Sequence, residues 1–252
     1  MQDWKNVWGA ALGGRLPGMG LRERALVYVS LTAGIVYLLG LGFAPWPGAV
    51  IVKALAIGPL VPVTLHLLKD RNGQLLAGAL ACSTAGDILL ALPGLAHGFV
   101  YGLGAFLIAH VLYFNLFLAN FNVPRDRRAF TDAEPGARNR ALGVVAMAAV
   151  LVGLLYPHLG ELRYPVIIYV VVISAMALAA SLARFRTDLV AVGALLFMLS
   201  DAMVGISTFL SESDVLIWPV WVSYYVAQFC IAFGFLYEKL VAEPAALQEA
   251  RA

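Results

Sequence analysis

The sequence predicts an all-α protein, a polytopic membrane helix bundle with eight transmembrane helices. Three observations carry this. The 252 residues are 62% hydrophobic and 13% charged, with a mean hydropathy of +0.85, whereas a soluble domain holds about 25% charged residues. Apolar runs of about 20 residues recur, the length that crosses a bilayer as a helix, and the alternating ten-residue strands of a membrane barrel do not. The basic residues fall almost entirely on one side of the resulting spans.

In order, the spans are read as 25–42, 49–68, 74–92, 99–120, 140–156, 164–182, 188–210 and 217–237. The connections are too short to hold a soluble domain, and the longest, 121–139, is polar and rich in charge. With the N-terminus in the cytoplasm, the segments on that side carry Lys5, Arg15, Arg22, Arg24, Lys69, Arg71, Arg125, Arg127, Arg128, Arg138, Arg140, Arg184, Arg186, Lys239 and Arg251, which is 15 of the 17 basic residues. Arg163 alone lies on the other side, and Lys53 lies inside a span. That bias predicts both termini inside. It also makes the net charge of +2 a topology signal that implies no nucleic-acid partner.

Residues 1–24 are read as a cytoplasmic or interfacial segment, 25–238 as the transmembrane domain and 239–252 as a cytoplasmic tail. The first segment lacks the compact apolar core of a cleavable signal peptide. Its Trp4, Val7, Trp8 and Leu12 suit the membrane surface, although the glycines around them weaken that reading. Cys82 and Cys230 both fall within spans and are read as packing residues, with no disulfide framework.

Polar groups stand out against this background. Asp87 and Asp201 each interrupt an otherwise apolar span. An Asp near the centre of a membrane helix costs roughly 2.5–3.5 kcal/mol on insertion scales. Each therefore needs a buried partner, a water-filled cavity or a proton, and such residues mark functional sites. At ~1.5 Å per residue, Lys53, Asp87, Asp201, His110 and Gln228 lie ~6–16 Å below the outer ends of their spans, with Tyr169 and Tyr224 between them. The inner half offers mainly Thr64, His66 and Asn115.

Helical spacing puts these groups on coherent faces. Trp221, Tyr224, Tyr225 and Gln228 form one stripe; Phe106, His110, Tyr113 and Phe117 form another. Ser83, Thr84 and Asp87 share a side, as do Lys53, Ile57, Leu60 and Thr64. Unpaired polar groups do not face lipid, so the stripes predict an internal polar pocket with aromatic walls. One Lys and two Asp sum to a net −1 when all are ionised. The state of least cost keeps Lys53 charged, one Asp ionised and the other protonated. A carboxylic acid beside a carboxylate suits proton-driven cleavage, provided the three groups meet.

Structural readings stand beside these: Lys53 snorkelling to headgroups, His110 bonded to a carbonyl in the core, the Trp221, Tyr224 and Tyr225 stripe as an interfacial belt. A catalytic metal needs about three His or carboxylate ligands. His97 and His158 fall in outer loops and His66 near the inner face, so no metal is expected. Gly98 and Gly102 are read as sites of close helix packing.

The chain also echoes itself. Gly193-Ala194-Leu195 precedes Asp201 much as Gly78-Ala79-Leu80 precedes Asp87, and in each case the next span supplies a polar group 23 residues on, His110 or Tyr224. This suggests two four-helix halves related by an axis along the membrane normal.

The motifs Ser83-x-x-Gly86-Asp87-x-x-Leu90 and Phe99-x-x-Gly102-Leu103-x-Ala105-Phe106-x-x-x-His110-x-x-Tyr113 resemble the signature of the YhhN-like lysoplasmalogenases. So do Gly193-Ala194-Leu195-Leu196-Phe197-x-x-Ser200-Asp201 and Tyr224-Tyr225-x-Ala227-Gln228-x-x-Ile231, with Tyr169 and Met176 fitting the pattern in span six. The likeness runs from about Lys53 to Ile231. One departure is visible: the family tends to place Pro directly after the Lys of span two, whereas Ala54 follows Lys53 here and prolines come at Pro59 and Pro62.

The resemblance implies an eight-span hydrolase that cleaves the vinyl ether bond of lysoplasmalogens to a fatty aldehyde and glycerophosphoethanolamine or glycerophosphocholine, without a cofactor. The chemistry needs a proton donor, an anion near the developing oxocarbenium ion and one directed water, a problem glycosidases solve with two carboxyl groups. Asp87, Asp201 and His110 are the expected catalytic residues. Lys53, Ser83, Tyr113, Tyr169, Trp221, Tyr224, Tyr225 and Gln228 are the expected substrate-binding ones. The partners are then a lysophospholipid and the lipids of a bacterial-type inner or plasma membrane; no oligomeric state follows. Two other classes fit the same polar layer: a proton-coupled small-solute transporter or channel, and a non-catalytic lipid-binding protein.

Overall fold

In the computed structural model, residues 2–43, 46–121, 134–183, 185–210 and 214–249 are described. They are helical, joined by turns and short 3-10 segments. A short helix, α1 (Gln2–Leu12), precedes α2 (Leu21–Gly40), α3 (Ala49–Ile57), α4 (Leu60–Leu67), α5 (Arg71–Ala91), α6 (Gly98–Ala119), α7 (Pro135–Leu155), α8 (Arg163–Leu182), α9 (Leu189–Phe209), α10 (Ile217–Tyr237) and a last helix, α11 (Glu243–Glu249). Among the described residues, eight segments, with α3 and α4 counted as one, are long and apolar enough to cross a membrane.

The ends follow local chemistry. The Asp70 side chain accepts the Gly73 N–H at 3.0 Å and caps α5. The Glu23 carboxylate reaches back to the Gly20 N–H at 2.9 Å and starts α2 a turn earlier than hydropathy alone predicts. Pro135 stands at the first position of α7, where its missing N–H costs nothing, and extends that span five residues beyond the reading from sequence. The second span is broken between α3 and α4 at Gly58-Pro59. The break thus falls a turn or more beyond Lys53, where Pro59 cannot donate to the ladder. The final span runs on from α10 through one π-helical turn, Glu238–Ala242.

The N-terminal segment folds as α1 and packs on α10, with Val7, Ala10 and Ala11 buried. Val7 therefore faces protein, while Trp4 and Leu12 remain exposed. Among the positions used to orient the chain, Arg125, Arg127, Arg128, Arg184 and Arg251 lie outside the described residues.

The helices α2, α3/α4, α5, α6, α8, α9 and α10 close a ring of neighbours, with α7 outside it against α8 and α9. Their outward faces carry large apolar side chains such as Ile35, Leu39, Ile51, Ile108, Val150 and Val171. A surface apolar on every side needs lipid around it. Successive spans alternate in direction, so α2 begins and α10 finishes at one end of the bundle, the proximal end. The distal end is where α2, α5, α7 and α9 finish and α3, α6, α8 and α10 begin.

Close approach at the distal half rests on glycine. A Cβ on Gly86, the residue before Asp87, would lie 2.6 Å from the Phe106 ring, and one on Gly102 would lie 2.6 Å from Leu90. The Phe106 ring is itself held edge-on against Phe197 and Tyr224. Gly86→Ala is therefore expected to cost about 1–3 kcal/mol by overpacking, read as a lower thermal unfolding midpoint in detergent. An unchanged midpoint would show that α5 and α6 have room to part.

Candidate active site

The ring of helices, together with α7, lines a cavity of about 260 Å³ in the distal half of the bundle. Apolar side chains make most of its wall: Leu90 from α5, Phe99, Leu103 and Phe106 from α6, Leu151 and Leu155 from α7, Val166, Val170 and Ile173 from α8, Met198 from α9. The polar groups are few and gathered: Lys53, Asp87, Tyr169, Ser200, Asp201 and Tyr224, with Ser207 nearer the distal end. The two aspartates, 114 positions apart in the chain, thus share one cavity.

Asp87 is the more enclosed. Its side chain is 2% exposed, and Lys53 Nζ lies 3.3 Å from its Oδ1. The Tyr224 hydroxyl donates to its Oδ2 at 2.6 Å. Behind Tyr224, the Gln228 amide donates to the Tyr224 oxygen at 3.3 Å, and the Tyr113 hydroxyl donates to Gln228 Oε1 at 2.6 Å. A bonded chain therefore runs from the cavity into the bundle. Lys53 also lies 5.7 Å and 6.0 Å from the ring centres of Tyr37 and Trp221, positions in which an ammonium gains cation–π attraction. Its pairing with Asp87 answers the snorkelling alternative.

Asp201 has different company. Its Oδ2 accepts from the Tyr169 hydroxyl at 2.5 Å and sits 3.0 Å from His110 Nε2, which is also 2.9 Å from the Tyr169 oxygen. His110 Nδ1 is buried with no hydrogen-bond partner. An unpaired N–H there costs more than an unpaired lone pair among the aromatic rings of Phe197 and its neighbours. The favoured tautomer thus carries its proton on Nε2 and donates it to Asp201. Among the described residues no Lys or Arg pairs with Asp201, and no hydrogen bond engages its Oδ1. Its side chain is 16% exposed.

The pairings cross. Asp87 is held by Lys53 from the first four spans and Tyr224 from the last four. Asp201 is held by Tyr169 from the last four and His110 from the first four.

Of the residues expected from sequence, Lys53, Asp87, Tyr169, Asp201, Trp221 and Tyr224 line the cavity. His110, Tyr113 and Gln228 stand behind the wall, wholly buried, and act on it through hydrogen bonds. Tyr225 turns away: its hydroxyl donates to the Ser30 carbonyl at 2.8 Å and its ring stacks on Trp221. Ser83 is buried off the cavity, its hydroxyl without a partner. Tyr37 and Ser200 also belong to the wall and were not among the residues expected from sequence. Ser200 carried a signal, since it precedes Asp201 in the motif. Tyr37 carried none beyond its place in the outer third of an apolar span. Among the described residues no three His, Cys, Asp or Glu side chains gather as metal ligands.

Fold and site together define a class: a polytopic helical membrane protein with two carboxyl groups in a largely apolar internal cavity. The chain belongs to the YhhN family, whose model matches residues 48–235. Proteins named lysoplasmalogenase from Mycobacterium bovis and Mycobacterium tuberculosis are each 41% identical to it over 181 residues, 70% of this chain and 66% of theirs. The chain thus spans just under two thirds of those relatives. A pig protein named lysoplasmalogenase TMEM86B is 33% identical over 193 residues, 75% of each chain. No solved structure matches significantly.

Proposed function

We propose that this protein is a membrane lysoplasmalogenase. It hydrolyses the vinyl ether bond of a lysoplasmalogen to a fatty aldehyde and glycerophosphoethanolamine or glycerophosphocholine. The observation that carries the reading is the meeting of Asp87 and Asp201 in one apolar cavity of a chain whose relatives bear that name.

The two carboxyl groups divide the work. Lys53 balances Asp87, which stays a carboxylate. Among the described residues no Lys or Arg stands beside Asp201, and the proton donor's role is assigned to it. Tyr169 and His110 bond to Oδ2 and leave Oδ1 to carry the proton toward the cavity. Asp201 gives that proton to the β-carbon of the vinyl ether, and the C=C electrons form the new C–H bond. The resulting oxocarbenium ion is stabilised by the Asp87 carboxylate. Water adds to the cationic carbon and returns a proton to Asp201, a switch from acid to base. The hemiacetal then collapses as its hydroxyl proton leaves and the glycerol oxygen is protonated. One water is consumed and no other reactant is needed. The apolar wall holds the alkenyl chain.

The exchanged pairing of the aspartates supports a repeat of two four-span halves about an axis along the membrane normal. The basic residues at the proximal end, among them Arg15, Arg22, Arg24, Lys69 and Arg71, support cytoplasmic termini in a bacterial-type inner or plasma membrane.

The test is purified protein incubated with three matched lysolipids, a vinyl ether, an ester and a saturated ether, with products identified by mass spectrometry. Aldehyde from the vinyl ether alone is the expected outcome. Binding of all three with no product would make the protein a lipid binder. Solute or proton flux in proteoliposomes without lysolipid turnover would make it a transporter.

A further inference from the structure

A phosphate-bearing lipid brings a negative charge into the distal half of the bundle, and few groups there can meet it. Among the described Lys and Arg residues, only Lys53 and Arg163 stand at that end, and Lys53 is engaged by Asp87 at 3.3 Å. Arg163 opens α8. It makes no ion pair among the described residues, and its Nε is buried with no hydrogen-bond partner. Its guanidinium lies over the Tyr156 ring, 4.7 Å from the centroid.

The position relates it to the cavity. Val166 and Val170, three and seven residues further on, share its helix face, and both line the wall. Leu155, which precedes Tyr156, lines the same wall from α7. Arg163 and Tyr156 therefore bridge α7 and α8 at the distal rim, one turn beyond the last wall residue of α8. A guanidinium presents a planar fork that matches phosphate oxygens. Stacking on Tyr156 fixes that fork before a ligand arrives, which lowers the entropy lost on binding.

We propose that Arg163 is the anchor for the headgroup phosphate of the lipid substrate, held in place by Tyr156. It selects phospholipid over phosphate-free glyceryl ether. The proposal rests on the reading of this protein as a lysophospholipid hydrolase. The chain enters the apolar cavity while the phosphate stays at the rim, and the glyceryl ether oxygen falls between them, beside the aspartates.

The test is binding, measured by isothermal titration in phosphate-free maltoside micelles. Two ligands that cannot be cleaved at a vinyl ether are used: a saturated 1-O-alkyl glycerophosphocholine and the matching 1-O-alkylglycerol. Arg163→Gln is expected to weaken the phosphate ligand by about tenfold or more, as for a lost hydrogen bond to a charged group, and to leave the alkylglycerol unchanged. Arg163→Lys should lose less. Tyr156→Leu, which keeps the charge and removes the stacking, should weaken the phosphate ligand in the same selective sense. Equal losses for both ligands, or none for either, would overturn the proposal. So would a loss seen only in phospholipid nanodiscs, which would assign Arg163 to bulk headgroups. Aldehyde release by the wild type reports separately on the vinyl ether reading, so the two failures are distinct.

Discussion

Asp201→Asn is expected to lower the rate of aldehyde release from a lysoplasmalogen by about 10²–10⁴-fold, the usual range for removal of a general acid–base group. The substitution keeps shape and size. Its amide oxygen still accepts from Tyr169 and His110, which now meet Asp201 at 2.5 Å and 3.0 Å, so the fold and the cavity persist. What is lost is the proton at the position of Oδ1. Binding of the saturated ether analogue should be unchanged, which separates a lost chemical step from a lost site. Asp87→Asn is expected to be similarly damaging to aldehyde release for another reason: it removes the anion that faces the developing cation. Activity of Asp201→Asn within tenfold of the wild type would take this residue out of the chemistry and leave the cavity without its proton donor.

Much of this arrangement was legible before any coordinates. Eight spans follow from the length and spacing of apolar runs, because a bilayer imposes both. The aspartates announce themselves because an unpaired charge in hydrocarbon is costly, so their mere presence implies company. Helical periodicity then names the faces on which that company sits, and it led to Lys53 and Tyr224, while depth and the family resemblance led to Tyr169. It does not reveal which side chain meets which, since that depends on how the ring of helices closes. In the sequence echo His110 follows Asp87 and Tyr224 follows Asp201, both 23 residues downstream. The bonds run the other way round. Periodicity also cannot divide one stripe between two tasks. Trp221 and Tyr224 face the cavity, Gln228 braces them from behind, and Tyr225, one residue from Tyr224, ties α10 to Ser30 on α2. Arg163 read only as a topology marker, because its nearness to the wall depends on the way α7 and α8 meet.

The Lys53–Asp87 pair yields a second large effect, and one in stability. Asp87 is 2% exposed while Lys53 is 13% exposed at the rim of the aromatic cluster formed by Tyr37 and Trp221. Lys53→Met strands the carboxylate in a low-dielectric wall with Tyr224 as its chief remaining donor. Breaking a buried pair in this way costs about 3–5 kcal/mol, and the expected result is a strongly lowered unfolding midpoint in detergent. Asp87→Asn should cost less. The lysine left behind is four residues from the start of α3, and its stem is long enough to carry the ammonium to the interface. The double variant Lys53→Met with Asp87→Asn should then recover much of what Lys53→Met loses, a coupling that single substitutions cannot reveal. It should also remain inactive, since the anion is gone. A Lys53→Met protein as stable as the wild type, or a double variant whose loss is the sum of the two singles, would mean that the ammonium does not hold this carboxylate. The charge balance that leaves Asp201 to carry the proton would then fall with it.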